Sequence, residues 1–401
     1  MILFCFLNLS TAQSLRISLD DVEELSELHS PDWEQFKYQL ETLIESERGD
    51  AMRLNPVLNY DMEYLNNSPQ SEREQFAFIE QKLRTPGHFR NLRRYRDIRI
   101  EEVRKEIEAE KAEWLADMRL GFIRIVLLKE ELSDLENLQR LPDRFMDALE
   151  ARAQERETSL IEEQLLKMSG YQLTSLVDER RLLLETEKTE WLTKMGLSDE
   201  TNVEFSGSFS DVDILLPEKE NLLAMLDQAP GREAASLAQR SAGQSVELEE
   251  SRRWPSFELR AGYKSLNPDI HGFMAGVSLP IPLLNRNRPA VEQARSQERI
   301  NALAYRATVE RQDRELSRAR DALYDIRSGL DQFPGHTQSS QDLINALTAA
   351  YEEGEQSLSE VLNALSLTAD TYRTWYNQLD RAYEQVKIIE ALTGRPVLNT
   401  H

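Results

Sequence analysis

Cysteine is almost absent. Cys5 is the only one among 401 residues, which excludes a disulfide framework and a thiolate metal site. Histidine is nearly as scarce: His29, His88, His271, His336 and His401 lie too far apart for metal-ligand spacing. Basic residues are in deficit, with 48 Lys+Arg against 71 Asp+Glu and a formal net charge of −23. No basic stripe is available to neutralise phosphates, so nucleic acid is excluded as a partner. The same balance argues against a surface held to anionic lipid by overall charge. No apolar run is long enough for a transmembrane helix. No nucleophile elbow, phosphate loop or metal constellation is found. The expectation is therefore no catalytic residue, no metal site and no cofactor.

What is present is helix. A charged fraction of 30%, rich in Glu, Leu, Arg and Ala, favours long solvated helices. Residues 1–12 are apolar from Ile2 to Leu9, and Ser10-Thr11-Ala12 resembles a signal-peptidase site, so this segment is expected to be a truncated signal peptide. Ser18 and Asp21 form an S-x-x-D box that predicts Ser18 as the cap of a short helix. Ser30-Pro31 opens the next helix, expected to run to about Arg53. A very long helical stretch follows from near Arg90, with a kink expected at Pro142. Its return helix is expected to end at Lys194-Met195-Gly196. Residues 197–217 are rich in Ser, Asp and Gly and read as an irregular connector. Helix resumes over 218–253, interrupted at Ala229-Pro230-Gly231. Further on, Leu316, Ala319, Leu323, Ile326, Leu330 and Phe333 form a heptad seam, and Leu358, Leu365, Tyr372, Leu379 and Val386 recur every seven residues. Such seams predict coiled-coil-like contacts between neighbouring helices. Residues 395–401 are a tail.

Between the helices lie two hairpins. In the second, over 256–282, Phe257, Leu259, Ala261 and Tyr263 alternate with Glu258, Arg260, Gly262 and Lys264. After a turn at Asn267-Pro268-Asp269, Phe273, Ala275, Val277, Leu279 and Ile281 continue one face. Each arm is about ten residues, roughly what a tilted strand needs to cross a bilayer. Pro280 and Pro282 end the pairing. Phe257, Leu259, Phe273, Val277 and Leu279 are accordingly expected to form a membrane-facing or tightly packed wall. The first hairpin, over 57–83, alternates less clearly. Pattern alone also fits small capping hairpins on a helical bundle.

The chain repeats itself. Pro255 lies 199 residues after Pro56, Leu358 lies 198 after Leu160, and Gly394 lies 198 after Gly196. The expected organisation is a first repeat over 13–196, with a long helix pair at 90–195, and a second over 218–394, with its pair at 289–393. Each repeat supplies two strands. Four strands cannot close a membrane barrel, which needs roughly eight or more, and open edges are not tolerated in lipid. Two copies would give eight strands and three would give twelve.

These residues resemble the TolC-like outer-membrane efflux proteins. The resemblance covers about Ser18 to Gly394. It rests on Pro255 before a strand, Gly276-Val277-Ser278-Leu279-Pro280-Ile281-Pro282-Leu283, Asn285-Arg286-Asn287-Arg288, Tyr351-x-x-Gly354-x-x-Ser357-Leu358 and Leu392-Thr393-Gly394. The heavy-metal-efflux branch is the most similar. Arg156 departs from the pattern, standing where the family usually has a tip glycine.

The resemblance implies a mainly α fold with a small β part. Long antiparallel helical hairpins would form a periplasmic tunnel, and the four strands of each chain would join a trimeric twelve-strand barrel in outer-membrane lipid. It implies a passive exit duct, a homotrimer working with a periplasmic adaptor and an inner-membrane pump, for metal ions or small toxic compounds. It also implies a periplasmic tip and gate at Tyr351, Gly354, Gln356 and Ser357. In the family's best-studied channel a tip tyrosine and an arginine five residues later help to hold the entrance closed. Tyr351 matches the tyrosine, but Gln356 replaces the arginine, so closure without an ionic lock is expected. A second reading is a soluble periplasmic coiled-coil protein of adaptor type. Adaptors place β segments around one helical hairpin, and here helices flank the strands.

Overall fold

The computed structural model describes residues 15–50, 54–67, 70–153, 160–198, 203–209, 217–266, 270–284, 286–332, 336–353 and 355–398. In chain order the first elements are β1 (Leu15–Ile17), α1 (Asp21–His29), α2 (Pro31–Asp50), β2 (Val57–Asn67) and β3 (Gln70–Leu83). Then come α3 (Pro86–Gln139), α4 (Leu141–Ala153), α5 (Leu160–Lys194), β4 (Val203–Phe205), α6 (Lys219–Asp227) and α7 (Pro230–Ser251). The last are β5 (Phe257–Leu266), β6 (Ile270–Ser278), α8 (Arg288–Leu330), α9 (His336–Glu353) and α10 (Leu358–Thr393). The predicted class, mainly α with a small β part, is the one observed. The residues expected for a signal peptide, and Arg156, lie outside the described residues.

The chain divides into two compact units. One gathers residues 1–36, 109–226 and 312–401; the other gathers 37–108 and 227–311. Each unit thus draws on both halves of the sequence.

The first unit is helical around an apolar interior. On α10, Leu358, Leu365, Tyr372, Leu379 and Val386 are all buried, as are Leu316, Ala319, Leu323 and Leu330 on α8. These positions of both seams are therefore packed within the chain, while Ile326 of the α8 seam is half-buried. Phe333 of the α8 seam lies outside the described residues. The α3–α4 break falls at Arg140, two residues before Pro142, whose missing N–H cannot continue the ladder. Gly196 ends α5 with φ +68°, and a Cβ there would stand 2.3 Å from the His29 carbonyl oxygen, so only glycine fits.

Two local features differ from expectation. The connector contains β4, which pairs in parallel with β1, Leu15 opposite Val203 and Ile17 opposite Phe205. Six strands are therefore described, the four expected from the two hairpins and two more in the helical unit. Phe205 packs there with Phe122 and Trp191, ring centroids 5.5 and 5.2 Å away, while the Trp191 indole donates to the Met118 carbonyl at 2.9 Å. Ser18 is not the cap of α1. Asp20 occupies that position without capping the helix through its side chain, and Ser18 donates instead from N and Oγ to Asp21 Oδ2 at 2.8 and 2.6 Å.

Buried charge is paired in this unit. Arg119 Nε lies 3.0 Å from Glu390 Oε2, and Glu390 Oε1 accepts the Val397 N–H at 2.9 Å, tying the segment after α10 to its last turns. Arg124 bridges Asp380 and Glu384 at 2.6 and 2.5 Å. Burial raises the Asp134 carboxyl above its ordinary range, although the Tyr376 hydroxyl donates to it at 2.9 Å.

Candidate functional site

The second unit is built on one four-stranded antiparallel sheet in the order β2-β3-β5-β6. The two hairpins meet through β3 and β5, with Leu83 opposite Phe257 and Glu74 opposite Leu266. Among the described residues, β2 and β6 each pair on one side only. Because side chains alternate along a strand, this register fixes two faces.

One face is apolar. Leu259 stands between Gln81 and Val277, Ala261 between Ile79 and Ala275, and Tyr263 between Ala77 and Phe273. On β2 the same face carries Leu58 opposite Ile79, Tyr60 opposite Ala77, and Met62 and Tyr64 beyond. These side chains are not covered by protein: Phe273 is 94% and Val277 72% exposed. Four of the five predicted wall residues, Phe257, Leu259, Phe273 and Val277, share this face. Leu279 does not belong to the ladder. Its pairing ends at Ser278 opposite Glu258, because the following Pro280 has no N–H and restricts the residue before it.

The other face is charged and self-paired. Lys264 Nζ reaches Glu74 at 3.2 Å, Arg260 lies 3.3 Å from Glu80 and 3.7 Å from Glu258, and Lys82 lies 4.0 Å from Glu258. Lys264 also sits 4.7 Å over the Phe76 ring. Gly262 is set opposite Phe78, and a Cβ there would meet Phe78 Cβ at 2.4 Å and the Ala77 carbonyl oxygen at 2.5 Å. Glycine lets the aromatic side chain lie across the neighbouring strand. Sequence reading missed both this ladder and the β2 face. The signal for the latter was present, since Leu58, Tyr60, Met62 and Tyr64 alternate with Val57, Asn59, Asp61 and Glu63.

Of the four tip residues, Tyr351 lies in the last turn of α9, and Gln356 and Ser357 lie between α9 and α10, in the helical unit. Tyr351 is buried, 2% exposed, with its ring edge-on to Phe145 of α4 at 5.5 Å between centroids. Gly354 lies outside the described residues. The N–H groups of Glu355 and Gln356 both turn back to the Ala350 carbonyl, at 2.8 and 3.3 Å. Ser357 caps α10 through a capping box: its Oγ accepts from Glu360 N at 3.4 Å, and the Glu360 carboxylate accepts from Ser357 N at 3.0 Å. The Ser357 N–H and the Ser357 hydroxyl, which also donates to that carboxylate at 2.7 Å, pull the Glu360 carboxyl below its ordinary range.

No helix is long and apolar enough to cross a membrane, and no group of three or more potential metal ligands occurs, in both cases among the described residues. No protein-family model matches the chain, and no curated protein matches it in sequence. Solved structures do match in shape. The CusC structure, described in terms of transmembrane channel formation, superposes with a TM-score of 0.76 at 15% identity, over 96% of this chain and 94% of that one. The chain has the fold of an outer-membrane channel. The open-state MtrE outer-membrane channel of Neisseria gonorrhoeae agrees, with a TM-score of 0.77 at 13% identity over 97% of this chain and 94% of that one. So does the outer-membrane protein VceC of Vibrio cholerae, at 0.76 and 13% over 94% and 96%.

Proposed function

We propose that this chain is the outer-membrane channel of a tripartite efflux system, a member of the TolC-like family. The reading rests above all on one observation: a four-stranded sheet whose uncovered face is apolar while its other face carries paired charge. Apolar side chains of this density face hydrocarbon, and the charged face lines water. The two unpaired edges are closed by further copies, and three chains give a twelve-strand barrel. The two sequence repeats, each a hairpin followed by long helices, extend the duct into the periplasm.

Transport through such a duct is passive and involves no catalysis. An inner-membrane pump supplies the energy, and a periplasmic adaptor joins pump to channel. Similarity to CusC and the second-half motifs favour the heavy-metal branch, with metal ions or small toxic compounds as cargo. The soluble-adaptor reading leaves the apolar sheet face in water, so nothing here favours it.

At the tip, Tyr351 packing on Phe145 and the capped start of α10 hold the turn, with Gln356 supplying no charge. Tyr351→Phe and Gln356→Ala in planar bilayers test this part. Raised conductance in either supports gating by the tip, and wild-type conductance in both reduces these residues to turn structure. For the channel itself, the chain should remain in membranes after a carbonate wash and run in detergent at three times its own mass. A stable monomer or dimer would overturn the assembly.

A further inference from the structure

A cleft of about 530 Å³ opens where the strands of the sheet end. Its charged lining is Lys82, Arg84, Arg252 and Arg253, with His88 beside them and no carboxylate among the lining residues. In a chain with 71 acidic residues against 48 basic ones, such a local excess of positive charge runs against composition. Arg252 is shared with Glu249 at 2.5 Å, and Lys82 lies 4.0 Å from Glu258. Arg253 makes no ion pair among the described residues. The first turn of α3 faces the same cleft through Thr85 and His88, with the His88 N–H on Thr85 Oγ at 3.4 Å, so the positive end of a 54-residue helix adds to the field. The imidazole registers its surroundings. Burial lowers its pKa first, and Arg252 and Arg84 lower it further.

The rest of the lining is apolar. Leu54, Trp254, Pro280 and Ile281 complete the cleft, and the indole is 75% exposed. Beyond Ile281, Leu283 and Leu284 are also uncovered. Leu279 and Pro280 lead from Ser278, the last ladder residue of β6, to this ledge at the end of the sheet. Cations, an exposed tryptophan and aliphatic side chains at the end of an apolar band are the arrangement that meets a lipid headgroup and its first methylenes together.

We propose that this cleft binds an anionic glycerophospholipid, its phosphate held by Arg84, Arg252 and Arg253 at the start of α3 and its acyl chains laid along Trp254 and Ile281. The overall negative charge of the chain does not oppose this, because screening limits each charge to about 10 Å at ordinary salt. The site rests on the reading of the sheet as a membrane wall.

Native mass spectrometry of the full chain, purified as its detergent-solubilised assembly, tests the proposal with phosphatidylglycerol and phosphatidylcholine of matched acyl chains. Phosphatidylglycerol should be retained in preference to phosphatidylcholine. An Arg84→Gln/Arg253→Gln double variant should weaken that retention by about tenfold or more, and Arg84→Lys/Arg253→Lys should largely preserve it. Equal retention of the two lipids by the wild type would overturn the site, as would an unaffected double-glutamine variant. Displacement of the lipid by millimolar inorganic phosphate would also overturn it, in favour of a free-phosphate site. If the double-glutamine variant fails to assemble, the wild-type lipid preference and its loss at high salt decide the matter. A chain that washes off membranes sinks the wall reading and this site with it. A chain that inserts and assembles without lipid preference sinks the site alone.

Discussion

On α10, Leu358, Leu365, Tyr372, Leu379 and Val386 are each at most 3% exposed, whereas Leu58, Tyr60, Phe273 and Val277 of the sheet are each more than half exposed. Charge follows the opposite rule. In the helical unit, partly exposed ion pairs such as Arg124–Asp380 lie around an interior that is apolar apart from a few buried pairs such as Arg119–Glu390. In the sheet the ion pairs Lys264–Glu74 and Arg260–Glu80 lie together on one face, beside Phe76 and Phe78. One sequence thus carries two binary patterns, a helical one turned inward against water and a strand one turned outward. On the proposed reading the difference lies in the solvent each unit meets, and substitutions that respond differently to the two solvents sharpen it.

The largest effect is expected inside the helical unit. Glu390→Ala leaves the buried Arg119 without its carboxylate and frees the Val397 N–H. A loss of about 3–5 kcal/mol is expected, read as a lower denaturant midpoint of the helical signal. An unchanged midpoint would mean that water replaces the carboxylate there.

In the sheet, neighbouring positions should differ. Val277→Arg puts a charge on the apolar face and should cost about 2–4 kcal/mol near the bilayer midplane, read as lost membrane insertion. Ser278→Arg, on the charged face, should insert normally. Equal yields of the two variants would erase the distinction between the faces.

Gly262→Ala should cost about 1–3 kcal/mol, because the added methyl overlaps Phe78 and the Ala77 carbonyl. Refolding yield into detergent measures it, and Gly276→Ala, where a Cβ meets nothing within 4 Å, is the matched control.

The smallest effect concerns pH. The Asp134 carboxyl is raised by burial, so its ionised form costs stability at neutral pH. That cost falls away as pH drops through the folded-state value and is gone below the unfolded value of about 3.9. Asp134→Asn should therefore flatten the rise in melting temperature between neutral and mildly acid pH. Glu131, raised by burial in the same direction, leaves a residual slope. An unaltered slope in the variant would remove Asp134 from the account.

What could be read from sequence followed from how local the determinant was. The seven-residue series of α10 and the alternation over Phe257–Tyr263 are periodic within one segment, and both elements were found. The same logic would have found Leu58, Tyr60, Met62 and Tyr64. Their partner strand, however, reads Phe76-Ala77-Phe78-Ile79, an apolar run that hides its alternation because Phe76 and Phe78 sit on the charged face, beneath Lys264 and opposite Gly262. The β1–β4 pair was not legible, since three residues on each side, 188 positions apart, carry no pattern of their own. A seam announces its period but not its partner, so the helices that the α8 and α10 series pack against were not legible. The basic cleft draws on residues near 54, 82–88, 252–256 and 280–282, and only the fold brings them together.

The outward apolar face is the central claim, and cysteine labelling in intact membranes tests it most directly. In a Cys5→Ser background, Val277→Cys and Ser278→Cys are each exposed to a water-soluble maleimide before and after detergent. The account predicts that Cys at 278 reacts from the aqueous face while Cys at 277 reacts only once detergent is added. Equal labelling of both positions in the untreated membrane would contradict it.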